Sequence, residues 1–121
     1  MPTLRYIPRT AGEAPVTPFH SAEEAWFWFV RCQQIRREGA QLAGGCGGFS
    51  RPCDPDDIYR AIMMLQRRGA VGNAHLAVLG RFGLAGRAPD PRCCEEADAA
   101  RRWTEALDRL STVLRAKGIL D

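Results

Sequence analysis

The sequence predicts a single all-α domain of four helices, preceded by an extended arm at its amino end. With 121 residues the chain has room for one domain. Apolar side chains recur at helical spacing in four segments, and stretches rich in glycine and proline separate these segments. No segment has the regular alternation of a half-buried strand. No apolar run approaches the length of about 18 residues that indicates a membrane span.

Residues 1–20 are expected to form the arm, and residues 21–121 the helical domain. Four prolines, at positions 2, 8, 15 and 18, interrupt any helical period in the arm. Its apolar residues, expected to hold it to the domain, are Tyr6, Ile7, Val16 and Phe19. The arm lacks the apolar stretch of a secretory signal, so we expect a cytoplasmic protein.

The first helix is predicted over residues 22–38. Ser21 and Glu24 fit a capping box at its start, and Gly39 is placed to end it. The predicted inward stripe consists of Ala25, Trp28, Phe29, Cys32 and Ile35. Three further apolar residues, Trp26, Phe27 and Val30, lie outside this stripe and need to be covered by the arm, by another helix or by a partner chain.

A glycine-rich loop at 40–53 leads to the second helix, which runs from about residue 55 to Arg68. Asp54 is its predicted cap, Pro55 occupies its first turn, and Gly69 ends it. Its inward stripe is Ile58, Ala61, Ile62 and Leu65.

The third helix is predicted over 74–85, with Asn73 as its cap and with Leu76, Leu79 and Phe82 facing inward. Gly80 and Gly83 each weaken this helix by roughly 1 kcal/mol relative to alanine, unless a neighbour packs closely there.

The last helix, over 95–117, follows a linker at 86–94 and has the clearest pattern. Its inward face comprises Ala100, Trp103, Ala106, Leu107, Leu110, Val113 and Leu114. Opposite charges four residues apart on the outer side are Asp98–Arg102, Arg101–Glu105 and Glu105–Arg109. Gly118 is expected to end the helix.

No catalytic or metal-binding motif is evident, so we expect a protein that is not an enzyme and has no metal or other cofactor. The five cysteines, at 32, 46, 53, 93 and 94, contain no C-x-x-C pair, and their odd number indicates reduced thiols. His20 and His75 have no nucleophile beside them in the sequence. The glycines at 44, 45, 47 and 48 are not followed by the Lys-Ser/Thr pair of a phosphate-binding loop.

Positive charge is concentrated in the middle of the chain. The protein has 17 basic and 14 acidic residues, a net charge of +3. Residues 58–92 contain six arginines and a single acidic residue, Asp90, whereas the segments on either side each carry a net −1. Because 16 of the basic residues are arginine, as is typical of a GC-rich genome, their position is more informative than their number.

The basic segment contains two short predicted helices joined by a tight turn, which favours a helix-turn-helix that contacts DNA. Few outward groups of the third helix can hydrogen-bond a base edge, so phosphate contacts are expected to dominate. The candidate nucleic-acid contacts are Arg60, Arg67, Arg68, Asn73, His75, Arg81 and Arg87. A charged, solvated helical hairpin without a ligand explains the same pattern about equally well.

The stretches "HLAVLGRFG" (75–83) and "RRWTEALDRLSTVLRAKGIL" (101–120) resemble the helical DNA-binding region of sigma factors and of small phage-type transcription regulators. The resemblance implies a bacterial protein with a role in transcription. The chain departs from the pattern at "AGRAPDPRCC" (85–94), which replaces the usual start of the second helix, and in the balanced charges of its last helix.

A second hypothesis is a non-enzymatic module that binds a protein partner or a second copy of the chain. Its interface would consist of Trp26, Phe27 and Val30 together with the flank of the last helix.

Overall fold

The computed structural model describes residues 17–38 and 53–121, which form the predicted all-α domain. Helix α1 spans Ala22–Arg37, α2 Pro55–Arg67, α3 Asn73–Ala85 and α4 Ala97–Ala116. No strand occurs in these two ranges, although an isolated parallel bridge pairs Phe19 with Leu120. Most of the predicted arm, most of the glycine-rich loop, and Gly39, the predicted end of the first helix, lie outside the described residues. None of the helices described is long and apolar enough to cross a membrane.

Helices α1 and α4 form the centre of the fold. Each of them contacts both α2 and α3, whereas α2 and α3 make few contacts with each other. The buried core comprises Phe19, Trp26, Phe29, Ile58, Ile62, Leu65, Val71, Leu79, Phe82, Trp103, Leu107, Leu110 and Leu114, among others. The chain therefore buries α1 and α4 on several sides and leaves the outer faces of α2 and α3 to solvent.

The inward stripes predicted for α2 and α4 are confirmed, but the buried face of α1 differs from the prediction. Trp26 and Val30 are buried, whereas Trp28 and Ile35 are only half-buried. The reason is that three helices surround α1, so its buried face is wider than a single stripe.

The caps of α1 and α2 follow the sequence. The Ser21 hydroxyl accepts a hydrogen bond from the Glu24 amide at 3.1 Å. Asp54 occupies the N-cap of α2, and its own amide donates to the Asp57 carboxylate at 3.0 Å. These bonds satisfy amides that a helix start leaves without partners.

The start of α3 corrects the prediction that Asn73 is its cap. The N-cap is Gly72, whose amide donates to Nδ1 of His75 at 3.1 Å. Asn73 is instead the first helical residue, and its side-chain oxygen accepts from the Gln66 amide nitrogen at 3.2 Å.

Phe19 joins the amino-terminal part of the described chain to its carboxyl end. Its side chain is fully buried, its amide donates to the carbonyl of Ile119 at 3.1 Å, and its carbonyl accepts from the amide of Asp121 at 3.1 Å. Phe19 thus has the anchoring role expected of it, whereas Tyr6, Ile7 and Val16 lie outside the described residues.

The cysteines correct another prediction. Cys32 is disulfide-bonded, whereas Cys93 and Cys94 are free thiols. The expectation that the cysteines are reduced is therefore wrong for Cys32, and Cys46 lies outside the described residues. No cluster of three or more side chains suited to a metal ion is found in the described ranges.

Candidate nucleic-acid interface

The outer face of α2 carries an open groove. Its lining residues are Tyr59, Arg60, Met63, Gln66 and Arg67. They recur at steps of three and four, away from the buried Ile58 and Ile62, and therefore share one side of the helix. Tyr59 is 52% exposed although it is large and aromatic. The groove thus combines an exposed aromatic side chain with two arginines, a combination found on surfaces that bind nucleic acids.

A second groove lies between the last turns of α1 and the start of α2. It is lined by Phe29, Gln33, Arg36, Arg37, Asp56 and Tyr59. Tyr59 therefore borders both grooves, and the buried ring of Phe29 stacks against it with centroids 6.4 Å apart. We call the residues that line the two grooves the α2 surface; its polar members are Gln33, Arg36, Arg37, Asp56, Tyr59, Arg60, Gln66 and Arg67.

The α2 surface has an excess of positive charge. Arg36 is paired with Asp56 at 3.3 Å and Arg60 with Asp57 at 3.0 Å. Arg37 and Arg67 have no acidic partner within the described residues. Exposed ion pairs contribute only about 0–1 kcal/mol, so an incoming phosphate would displace the two aspartates at little cost.

Four of the predicted nucleic-acid contacts lie on this surface or beside it. Arg60 and Arg67 line the same groove. Arg68 follows Arg67 directly as the exposed C-cap of α2. Asn73 is held beside the groove by its hydrogen bond from Gln66.

His75 is turned into the molecule. Its side chain is 18% exposed, and Nδ1 accepts from the Gly72 amide, so the neutral ring carries its proton on Nε2. Nε2 donates to a carboxylate oxygen of Glu105 at 2.9 Å, and this bond lowers the pKa of Glu105. Both ring nitrogens of His75, which the sequence predicted as a nucleic-acid contact, are engaged within the fold, where the ring ties the start of α3 to α4.

Arg81 and Arg87 belong to a separate cluster at the end of α3. Both guanidinium groups lie over the Phe82 ring, 5.0 and 5.2 Å from its centroid. Arg87 also makes a two-pronged ion pair with Glu96, at 3.0 and 2.6 Å. The Asp90 amide donates to the same carboxylate, and these hydrogen bonds lower the pKa of Glu96 to about 2. Arg87 is thus committed to holding the linker between α3 and α4.

The residues predicted to meet a partner are largely covered by the chain itself. Trp26 donates from Nε1 to the Leu79 carbonyl at 2.9 Å, and Trp26 and Val30 are both buried. The ring of Phe27 packs against that of Trp103 with centroids 5.5 Å apart. Of the three coverings that the sequence allowed for these residues, namely the arm, another helix or a partner chain, the structure shows other helices, α3 and α4.

No family model matches this chain, and no curated protein or solved structure matches it significantly.

The sequence prediction missed Tyr59, Arg36 and Arg37. A signal for Tyr59 was available, because it is the aromatic residue of α2 that lies off the Ile58–Ile62 stripe and beside an arginine. The two arginines of α1 were missed because their proximity to α2 depends on how the helices pack, and Arg36 and Asp56 are 20 positions apart.

Proposed function

We propose that this protein binds DNA and that the α2 surface makes contacts mainly to phosphates. The observation that carries the proposal is the shared groove of Arg60 and Arg67, which adjoins Arg36 and Arg37 across Tyr59. Guanidinium groups bind phosphate oxygens in a forked geometry that lysine cannot offer. Within the described residues, the acidic partners of these four arginines are Asp56 and Asp57.

A transcription-associated role in the bacterial cytoplasm is part of the proposal. It is supported by the resemblance of residues 75–83 and 101–120 to sigma factors and phage-type regulators. The exposed side of α4 carries both Asp108 and Arg109. The contact is therefore assigned to α2, with the turn at 68–72 and the start of α3 as its flank.

The test is the salt dependence of DNA binding, measured by fluorescence anisotropy with a labelled mixed-sequence probe in single-stranded and duplex form. Replacement of Arg67 and Arg68 by alanine is expected to weaken binding strongly at low salt. If both arginines contact phosphates of duplex DNA, the slope of log K against log salt should become shallower by about 2.

The matched control is a second double variant, Arg115→Ala with Lys117→Ala. It removes the same charge from the exposed end of another helix, α4, and should leave the affinity nearly unchanged. Equal losses in the two double variants would show that only net charge matters. The proposal would be refuted if neither the single-stranded nor the duplex probe bound at low salt.

A second candidate function is self-association through the groove between α1 and α3. Its lining includes Trp26, Val30, Gly80 and Leu84, and Leu84 is 58% exposed although it is apolar. A second copy placing its own Leu84 in this groove would bury both side chains in a two-fold contact.

Light scattering across a range of protein concentrations tests this candidate. A dimer that Leu84→Ser converts to a monomer, without loss of helicity, supports it. Phe27→Ser is less informative, because Phe27 packs against Trp103 and its loss would disturb the core. A monomer at all concentrations excludes the candidate.

A further inference from the structure

Tyr59 occupies the one position on the α2 surface where the two grooves adjoin. One groove is lined by Tyr59 together with Gln33, Arg36 and Arg37, and the other by Tyr59 together with Arg60, Gln66 and Arg67. Each groove therefore combines the same aromatic ring with two arginines and one glutamine. Their volumes, about 300 and 480 Å³, lie at the lower end of the range for small-ligand sites.

The ring is supported from beneath and open above. Phe29, only 7% exposed, stacks against Tyr59 at an interplanar angle of 30°, so the core fixes the ring on that side. Tyr59 as a residue is 52% exposed, so part of its side chain is open to solvent. An aromatic residue held in this way offers a planar apolar surface to a ligand at little entropic cost.

From this arrangement we propose that Tyr59 stacks on an unpaired base, and that the ligand of the α2 surface is single-stranded DNA. This inference rests on the proposed function and specifies its substrate. In duplex DNA the bases are stacked on one another, so a tyrosine side chain reaches a base face there only at the cost of unstacking, whereas an unpaired base offers its face directly. The arginines of the two grooves would hold the phosphates that flank the stacked nucleotide.

Two glutamine side chains add hydrogen-bonding groups to the α2 surface. Gln33 and Gln66 lie one in each groove, and an amide side chain both donates to and accepts from the edge of an unpaired base. Gln66 already uses its nitrogen to donate to Asn73, which leaves its oxygen as an acceptor. Arginine, aromatic and amide groups together are the composition of surfaces that track single strands.

The experiment compares Tyr59→Ala with Tyr59→Phe, using fluorescence anisotropy and single-stranded DNA of mixed sequence. Stacking on an aromatic residue is sequence-tolerant, so loss of the ring should weaken binding about 5- to 150-fold, whereas phenylalanine should keep most of the affinity. Thr104→Ala is the control, because it shortens an exposed side chain of α4 that lines neither groove of the α2 surface. Circular dichroism verifies that the helical content of each variant is unchanged.

Three further probes separate this inference from the proposed function. An abasic strand of equal length should bind the wild type and Tyr59→Ala equally, since it keeps the phosphates and lacks the bases. Tighter binding of a duplex, or equal binding of single-stranded DNA by wild type and Tyr59→Ala, would overturn the stacking proposal while leaving phosphate binding intact. Tighter binding of RNA of the same sequence would overturn the assignment to DNA. Failure of all probes to bind at low salt would refute the proposed function itself.

Discussion

Gly80 and Gly83 are three residues apart on α3 and have different structural roles. A Cβ atom added to Gly83 would lie 2.8 Å from Nε1 of Trp26 and 2.9 Å from a methyl group of Val30. A Cβ atom at Gly80 would meet nothing within 4 Å. Gly83 therefore permits the close approach of α1 that brings Trp26 within hydrogen-bonding distance of the Leu79 carbonyl.

These surroundings predict opposite effects for the two alanine substitutions. Gly80→Ala should raise the free energy of unfolding by roughly 0.5–1 kcal/mol, because alanine favours the helix and meets no neighbour. Gly83→Ala should lower it by about 1–3 kcal/mol, because the new methyl group displaces Trp26 and Val30. Urea unfolding of both variants measures the difference. Stabilisation by Gly83→Ala would contradict the described contact between α1 and α3.

The sequence predicted that each glycine either weakens α3 or makes room for a closely packed neighbour, but not which of the two applies at Gly80 and at Gly83. Glycine weakens an isolated helix at either position, and it is favoured only where a larger side chain would collide with a neighbour. Trp26 is the neighbour of Gly83, 57 positions earlier in the chain, and spacing along the chain does not reveal such a pair. The same limit explains His75, which pairs with Glu105, 30 positions later in the chain.

At the scale of elements, the linker between α3 and α4 is held by Glu96. The side chain of Glu96 does not cap α4, although Glu96 occupies its N-cap position. Its carboxylate instead accepts from Arg87 at the end of α3 and from the amide of Asp90 in the linker. One acidic side chain thus connects the end of α3, the linker and the start of α4.

This arrangement predicts that Glu96 stabilises the fold in a pH-dependent way. Its pKa is lowered from 4.5 to about 2 in the folded protein, so its stabilising effect is complete above about pH 5 and disappears as the pH falls through 4.5 towards 2. Glu96→Gln should therefore be less stable than the wild type at neutral pH, and this difference should shrink over that interval. Thermal unfolding at a series of pH values measures it.

Glu95→Gln is the matched control, because it removes the same charge from an exposed neighbouring side chain. This variant should follow the wild type at every pH. A stability difference for Glu96→Gln that stays constant between pH 7 and pH 2 would show that the ion pair with Arg87 is not its source.

At the scale of the whole molecule, the fold was largely predictable and the site only in part. The apolar periods of α2 and α4 and the signals at Ser21, Asp54 and Gly69 give local information that the structure preserves. The direction of each arginine depends on residues far away in the sequence. The net charge of the 58–92 segment could not reveal that Arg87 is bound to Glu96 while Arg67 has no acidic partner among the described residues.

The division of the basic segment into two groups has a functional consequence. Arg60 and Arg67 lie on the α2 surface, whereas Arg81 and Arg87 lie over Phe82 and Arg87 is paired with Glu96. The first group is available to a phosphate at low cost, and the second is used to hold the linker. We therefore propose that α2 and the end of α1 contact DNA and that the end of α3 has a structural role.

Chemical-shift mapping by NMR tests this assignment most directly, because a chain of 13.4 kDa gives resolved amide spectra. During titration with single-stranded DNA at low salt, we expect the amide signals of residues 33–38 and 56–68 to move. The signals of residues 81–96 should stay in place. Shifts concentrated at residues 81–96, or no shifts on α2 when binding occurs, would contradict the account.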